Sequence, residues 1–439
     1  MNIAQVELWD RHRREIKAWR IMIWLVLSLA YLIAYFHRVS PAVIVNELFS
    51  LYHVEAASVV GGLASVYFYV YFMMQVPAGV LADLLGPRRV VAMGIAAAAL
   101  GSVWFGLAWS VSGLFASRFL IGLGVSVVYV SALKAYSAWF GPQELGTAVG
   151  LTSFIGNLGG VLAATPLSVL VSSLGLSAAF ITVGLISAAV AAMTWLVVRN
   201  DPWDIFPAGQ GITRPAGRQA ASWSRLAQNL FKILRNRHTW LALIGPFCIY
   251  GPFMAMIGVW GVSFLTQVYG LERHAAATYT VLFSVGVMLG TLTVGFLSDR
   301  LGSRKKPYLA YAVGNLLVWA CLFFWNNGLP PFKALPALYF LLGFFGNVGI
   351  LSSVIVKEYN PPEVAGLAAG IGNIGGFAGS AFMQPFFGYL LDRHWDGVVV
   401  GGVKLYSPGA FHYAFGACLL FSCLAVVAIS LMRESLREK

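Results

Sequence analysis

Acidic side chains are scarce in this chain, with 17 Asp and Glu among 439 residues against 29 Lys and Arg, and charged residues of both signs make up only 10%. A soluble domain carries about 25% charged residues. A water-facing globular fold is therefore excluded, and the mean hydropathy of +0.76 points to an all-α integral membrane protein. Cysteine is rare as well. Cys248, Cys321, Cys418 and Cys423 all fall in apolar runs without metal-ligand spacing, so they read as packing residues with no redox or metal role. The sequence also lacks a phosphate-cradling Gly loop after a strand and any His or Cys cluster, which leaves nothing on which to build an enzyme, a cofactor site or a metal centre. There is no signal-peptide pattern. The opening "MNIAQVELWDRHRREIKAWR" is charged and leads into an apolar run too long for a cleavable core, so that run is expected to remain as a helix.

What the chain has in abundance is apolar length. A spanning helix needs about 20 mostly apolar residues. Runs of that kind cover 20–42, 58–82, 89–109, 111–139, 144–172, 176–198, 238–267, 275–299, 307–326, 333–358, 363–391 and 409–432. Twelve spans are expected. Lys and Arg concentrate in the N-terminal tail, at Arg88 and Arg89, in the segment 200–237, at Arg300, Arg304, Lys305 and Lys306, at Lys357 and at the C-terminus. By the positive-inside rule both termini face the cytoplasm of an inner or plasma membrane. The net charge of +12 records that orientation and calls for no nucleic-acid partner. The expected organisation is a tail (1–19), a six-helix bundle (20–199), a cytoplasmic linker (200–237), a second six-helix bundle (238–432) and a short tail (433–439). Within the linker, Trp223, Leu226, Leu230 and Leu234 share one face of a basic amphipathic helix, as in a segment lying along the inner leaflet.

The chain repeats itself. "GVLADLLGPRR" (79–89) returns as "GFLSDRLGSRK" (295–305), and "IGNLGG" (155–160) returns as "IGNIGG" (371–376). Equivalent motifs six spans apart give two halves in parallel orientation. Three basic residues, Arg38, Arg118 and Lys134, fall inside spans, where an ionisable side chain is by default a functional candidate. The apolar residues from Val39 to Val45 indicate that the first helix runs on past Arg38. No acidic residue is placed at mid-membrane, so the natural counter-ion for Arg38 is a ligand. Tyr67, Tyr71 and Gln75 recur at i, i+4 and i+8 on one helix face, and together with Asn157, Asn347 and Asn373 they are candidates to line a polar cavity. His37 is the nearby group able to titrate near neutrality.

The pattern G-x-L-x-D-x-x-G-x-[RK]-[RK] resembles the signature of the major facilitator superfamily. Its copies are Gly79, Leu81, Asp83, Gly86, Arg88, Arg89 and Gly295, Leu297, Asp299, Gly302, Arg304, Lys305. The resemblance covers essentially the whole chain and implies a two-bundle fold in which these residues latch the cytoplasmic ends together, small residues allowing close approach and the charges pairing. Arg118, with Gly122 in "RFLIGLG", resembles the superfamily's fourth-helix Arg pattern. "YLIAYFHRVSPAVIVNEL", "AGLAAGIGNIGG" and "RNDPWDIFP" look like the organophosphate and organic-anion (sugar-phosphate permease-like) branch. That branch implies a substrate-gripping role for Arg38, with Tyr71 matching and Lys134 at the place of a fourth-helix basic residue. The branch's second-helix Lys falls on Gln75, its fifth-helix His on Gly156 and its second gripping Arg on or near Met254, so half of a phosphate clamp is missing. The Gly-Pro pair of drug antiporters is absent from "IGNLGGVLAATP". The expectation is a monomeric secondary transporter of a small organic anion, working by alternating access in the lipid bilayer with a proton or counter-anion as coupling partner. The alternatives are a carrier of a zwitterionic or larger amphiphilic compound, and a transporter-like sensor that binds without flux.

Overall fold

The computed structural model describes residues 13–45, 48, 51, 56–205, 223–346, 349–361, 365–400 and 403–435. Apolar residues that cannot leave their backbone groups unpaired in a lipid interior fold as helices. Helices α1 (Arg13–Val39), α2 (Ala57–Met73), α3 (Gln75–Leu85), α4 (Pro87–Leu107), α5 (Val111–Ser126), α6 (Val128–Trp139), α7 (Pro142–Leu162) and α8 (Thr165–Val197) form the N-terminal half. A short helix, α9 (Trp223–Arg235), precedes α10 (Arg237–Ala255). A π-helical turn, Met256–Trp260, joins α10 to α11 (Gly261–Tyr269). Next come α12 (Arg273–Arg300), α13 (Lys305–Phe324), α14 (Leu335–Gly346), α15 (Gly349–Tyr359) and α16 (Ala365–Arg393). A two-residue hairpin, β1 (Val399–Val400) with β2 (Val403–Lys404), leads into α17 (Pro408–Ser430).

Among the described residues nine segments are long and apolar enough to cross a membrane, or ten with α2 and α3, which bend by 55° at Met74, taken as one span. The expected twelve is reached only if the apolar run 147–197 is divided in two and α16, 29 residues long, is added. A division is visible at Gly175, whose φ of +81° interrupts α8 where the sequence separates its fifth and sixth spans. A further break at Ala163 and Ala164 was not anticipated.

Three other expectations are corrected. First, α1 ends one residue after Arg38, where Pro41 enters a 3₁₀ turn (Ser40–Val43) that packs on the π-helical turn of α10. Arg38 is buried among Tyr35, Tyr71, Tyr250 and Phe377, not by continuation of its helix. Second, only Cys248 and Cys418 are packing residues, while Cys321 and Cys423 are exposed on the helix surface. Third, in the amphipathic α9 the buried side chain is Ile233, with Leu230 half-buried and Phe231 and Leu234 exposed. The side chains of Trp223 and Leu226 lie outside the described residues.

The halves meet most intimately where α2 of one packs on α16 of the other. A Cβ added at Gly61 would stand 2.3 Å from the Gln384 carbonyl oxygen, and one at Gly388 would stand 2.6 Å from that of Ala57. Only glycine permits this backbone contact. It lies toward the end of the molecule where α2 begins and α16 finishes, here termed the far end. The opposite end, carrying the Arg88 and Arg304 turns, is the basic end.

Candidate functional site

A cavity of about 130 Å³ lies between the halves. Tyr31, Tyr35 and Arg38 project into it from α1 at i, i+4 and i+7, one face of a helix. Tyr71, Gln75, Tyr129, Ser153 and Asn157 complete the N-terminal wall, and Tyr250, Asn373, Gly376 and Phe377 contribute the opposite one. Arg38, Tyr71, Gln75, Asn157 and Asn373 are thus brought together. Asn347 lies outside the described residues.

Arg38 is the centre of this arrangement. It is 4% exposed, yet among the described residues no carboxylate is paired with it. Its Nη1 donates to the Tyr250 hydroxyl at 3.4 Å. Its guanidinium carbon lies 4.6 Å from the ring centre of Tyr35, 5.2 Å from that of Tyr71 and 5.3 Å from that of Phe377. Such contacts are worth about 0.5–2 kcal/mol each, which offsets part of the several kcal/mol that burying a lone charge costs. Nε and Nη2, the two nitrogens of one guanidinium edge, are buried without a hydrogen-bond partner. That edge is the fork that accepts two oxygens of a planar or tetrahedral anion.

The other candidates are placed elsewhere. His37 is fully buried beside Arg38 but off the cavity wall, with neither ring nitrogen hydrogen-bonded. Arg118, read from the sequence with the latch residues, is buried in the N-terminal half. It donates to the His37 carbonyl at 2.8 Å and stands over the Tyr67 ring. Tyr67 donates to the Ala34 carbonyl at 3.0 Å and supports the wall from behind. Lys134 points to the basic end and not into the cavity. Its Nζ donates to Asp83 Oδ1 and to the Ala82 carbonyl, both at 2.6 Å.

Both copies of the charged motif sit at the basic end, and their contacts stay within their own half. Asp83 pairs with Lys134. Arg88 donates to the Trp195 carbonyl at 2.8 Å and its backbone N–H to Asn200 at 3.0 Å, while Arg89 is exposed. In the second copy Arg304 pairs with Asp299 at 2.7 Å and Glu358 at 3.2 Å, Lys305 donates to the Ser430 carbonyl, and Ser303 donates to Glu434. Gly86 and Gly302 hold turns of positive φ (+80° and +55°), whereas a Cβ at Gly79 would make only an ordinary contact with Val130, at 3.9 Å, and one at Gly295 would meet open space. Apart from the Arg38–Tyr250 bond in the cavity, the carboxylate bonds that join the halves among the described residues are at the far end. The Asp392 carboxylate, at the end of α16, accepts from the N–H groups of Ala57 and Ser58 and from the Ser58 hydroxyl, each at 2.9 Å, and from the Tyr406 hydroxyl at 2.8 Å. It caps the start of α2, which has no side-chain cap of its own.

The profile of the Major Facilitator Superfamily matches residues 23–382 and 247–438. The chain belongs to the Major Facilitator Superfamily. It is a multi-pass membrane transporter of that superfamily, not an enzyme, and its relatives place it in the organophosphate and organic-anion branch. A probable sulfoacetate transporter, SauU, of Cupriavidus necator is 28% identical over 397 residues, 85% of this chain and 88% of that protein. The membrane sensor protein UhpC of Salmonella typhimurium is 24% identical over 404 residues, covering 88% and 90%. Among solved structures, a bacterial homolog to the human lysosomal transporter Spinster, inward-facing and unoccupied, superposes with a TM-score of 0.68 at 17% identity, covering 94% of this chain and 96% of that one.

Against this superfamily background, two departures noted in the sequence acquire a structural form. At Gly156 an added Cβ would stand 2.4 Å from the Tyr31 ring, so the phenol of Tyr31 fills the space a larger residue there would need. Met254 is fully buried and is not part of the cavity lining, while Tyr250, one turn earlier, meets Arg38. Sequence reasoning missed Tyr31, Tyr35, Tyr129, Ser153, Tyr250 and Phe377. The spacing of Tyr31 and Tyr35 from Arg38 was the available signal for the first two.

Proposed function

We infer that this protein is a secondary transporter moving a small organic anion by alternating access about the cavity at Arg38. The observation that carries the reading is the free fork of Arg38, a buried cation at the junction of the halves with no acidic partner among the described residues. The relatives support it, since one is described as a sulfoacetate transporter. In this reading the two bundles are 20–199 and 238–432, the basic end with both termini is cytoplasmic, and the working unit is a monomer. The state described is closed at the far end, and the Asp83 and Arg304 motifs close the basic end in the alternate state. His37 lies off the cavity wall, which favours exchange of anions over proton coupling through that ring.

The test is uptake and counterflow of labelled organic anions in proteoliposomes. Arg38→Ala should lose most transport, and at least about 10-fold in affinity, the worth of one charge-assisted hydrogen bond. Arg38→Lys should retain part of the binding. Near wild-type flux in Arg38→Ala would sink the reading. A second reading, a sensor, is favoured by the similarity to UhpC; it requires saturable, Arg38-dependent binding without flux.

A further inference from the structure

Building on the organic-anion reading, we propose that the site selects ligands whose anionic part carries a single negative charge, carboxylates and sulfonates, over phosphate monoesters and two-headed dianions. Among the described residues that line the cavity, Arg38 is the one cation. The two other intramembrane cations are committed elsewhere. Lys134, five residues on from Tyr129, is neutralised by Asp83, and Arg118 is turned to the His37 carbonyl and the Tyr67 ring, outside the lining. The remaining polar groups of the wall are neutral amides and hydroxyls, such as Gln75, Ser153, Asn157 and Asn373. They orient a ligand but do not balance charge.

One fork therefore meets one charge. The rings of Tyr35, Tyr71 and Phe377 surround the guanidinium carbon, while Nε and Nη2 are left without hydrogen-bond partners for an entering anion. A carboxylate or sulfonate supplies two oxygens to that edge and leaves no net charge behind. A phosphate monoester, with a second pKa near about 6, is mostly doubly charged at neutral pH. Its second charge would be desolvated among rings and amides without a counter-ion. Such an ester should bind as its singly charged form. That fraction rises from about 3% near pH 7.5 to about 76% near pH 5.5, about 25-fold. The titratable and charged groups around Arg38 are Tyr31, Tyr35 and His37 of α1, Tyr67 and Tyr71 of α2, Arg118 of α5, Tyr129 of α6 and Tyr250 of α10. A sulfonate sees the same groups at both pH values, so the phosphate-to-sulfonate ratio cancels their contribution.

The experiment is calorimetric titration of the purified full-length protein with ethanesulfonate, propanoate, ethyl phosphate and sulfoacetate at both pH values. It is repeated on Arg38→Ala and Arg38→Gln, with thermal melts to confirm folding. Ethanesulfonate and propanoate should bind about 10-fold or more tighter than the two dianions near pH 7.5. The ethyl phosphate to ethanesulfonate affinity ratio should rise about 25-fold on acidification. If ethyl phosphate or sulfoacetate binds as tightly as ethanesulfonate with an unchanged ratio, and binding is still lost in folded Arg38→Gln, the single-charge rule falls and the anion site stands. If none of the four probes binds, or folded Arg38→Gln binds like wild type, the anion reading fails and the rule with it.

Discussion

The two ends of this molecule handle charge in opposite ways. At the far end a single carboxylate, Asp392, reaches across from the C-terminal half and takes four hydrogen bonds, three of them from the first turn of α2. At the basic end there are more charges, but Asp83 pairs with Lys134 and Arg304 with Asp299 and Glu358, each set inside its own half. Number of charges is thus no guide to which end is shut. Partner choice is: bonds within a half stiffen it and leave it free to move as a body, whereas bonds between halves oppose separation. Backbone packing follows the same division, with Gly61 and Gly388 in contact across the halves, Gly79 near only Val130 of its own half and Gly295 facing open space.

The strongest way to break this contrast is Asp392→Ala. It removes charge-assisted bonds worth about 1.5–3 kcal/mol each and uncaps α2. The population open at the far end should rise by at least about 10-fold. Distances between spin labels placed on the far-end tips of α2 and α16, in a background lacking Cys321 and Cys423, would show it; an unchanged distribution would mean the α2–α16 packing alone holds that end. Intermediate in size is the glycine comparison. Gly61→Ala must push a methyl into the Gln384 carbonyl, an overpacking cost of about 1–3 kcal/mol, whereas Gly295→Ala should change the melting temperature little, within about 0.5 kcal/mol. A transport defect in Gly295→Ala with unchanged melting would place that residue at a contact made only in the other state. The smallest stability effect belongs to Asp83→Asn, since half-exposed ion pairs contribute about 0–1 kcal/mol. If the motif acts as proposed on the balance of states, flux should still fall more than equilibrium binding does, since the motif lies outside the cavity. A large loss of binding in a folded Asp83→Asn would contradict this.

Much of the fold could be read from hydropathy alone, because a lipid interior leaves an apolar chain few options other than helices. The internal breaks were less legible. Gly175 lay in a gap that the sequence already marked, but the bend at Met74 and the stop after Val39 depend on local turns within unbroken apolar runs. In the cavity, the polar residues Arg38, Gln75, Asn157 and Asn373 stood out because polarity inside a span is costly. Tyr71 was found only through its spacing with Gln75, and Tyr31, Tyr35, Tyr129, Tyr250 and Phe377 did not stand out, since an aromatic ring looks alike in sequence whether it meets lipid or a cavity. Lys134 shows the opposite failure. A basic residue in a span looked like a substrate contact until the fold brought Asp83, 51 residues away, to its ammonium group.

The contact between Tyr31 and Gly156 also constrains how this cavity wall can change over evolutionary time. With the phenol ring in place, any side chain at position 156 begins in a clash, so a mutation there is unfavourable until α1 has first exchanged Tyr31 for something smaller. The reverse order passes through a wall with a hole in it. New ligand chemistry at this position is therefore reached by linked pairs of substitutions on α1 and α7, and a single-site mutational scan would score each member of such a pair as harmful.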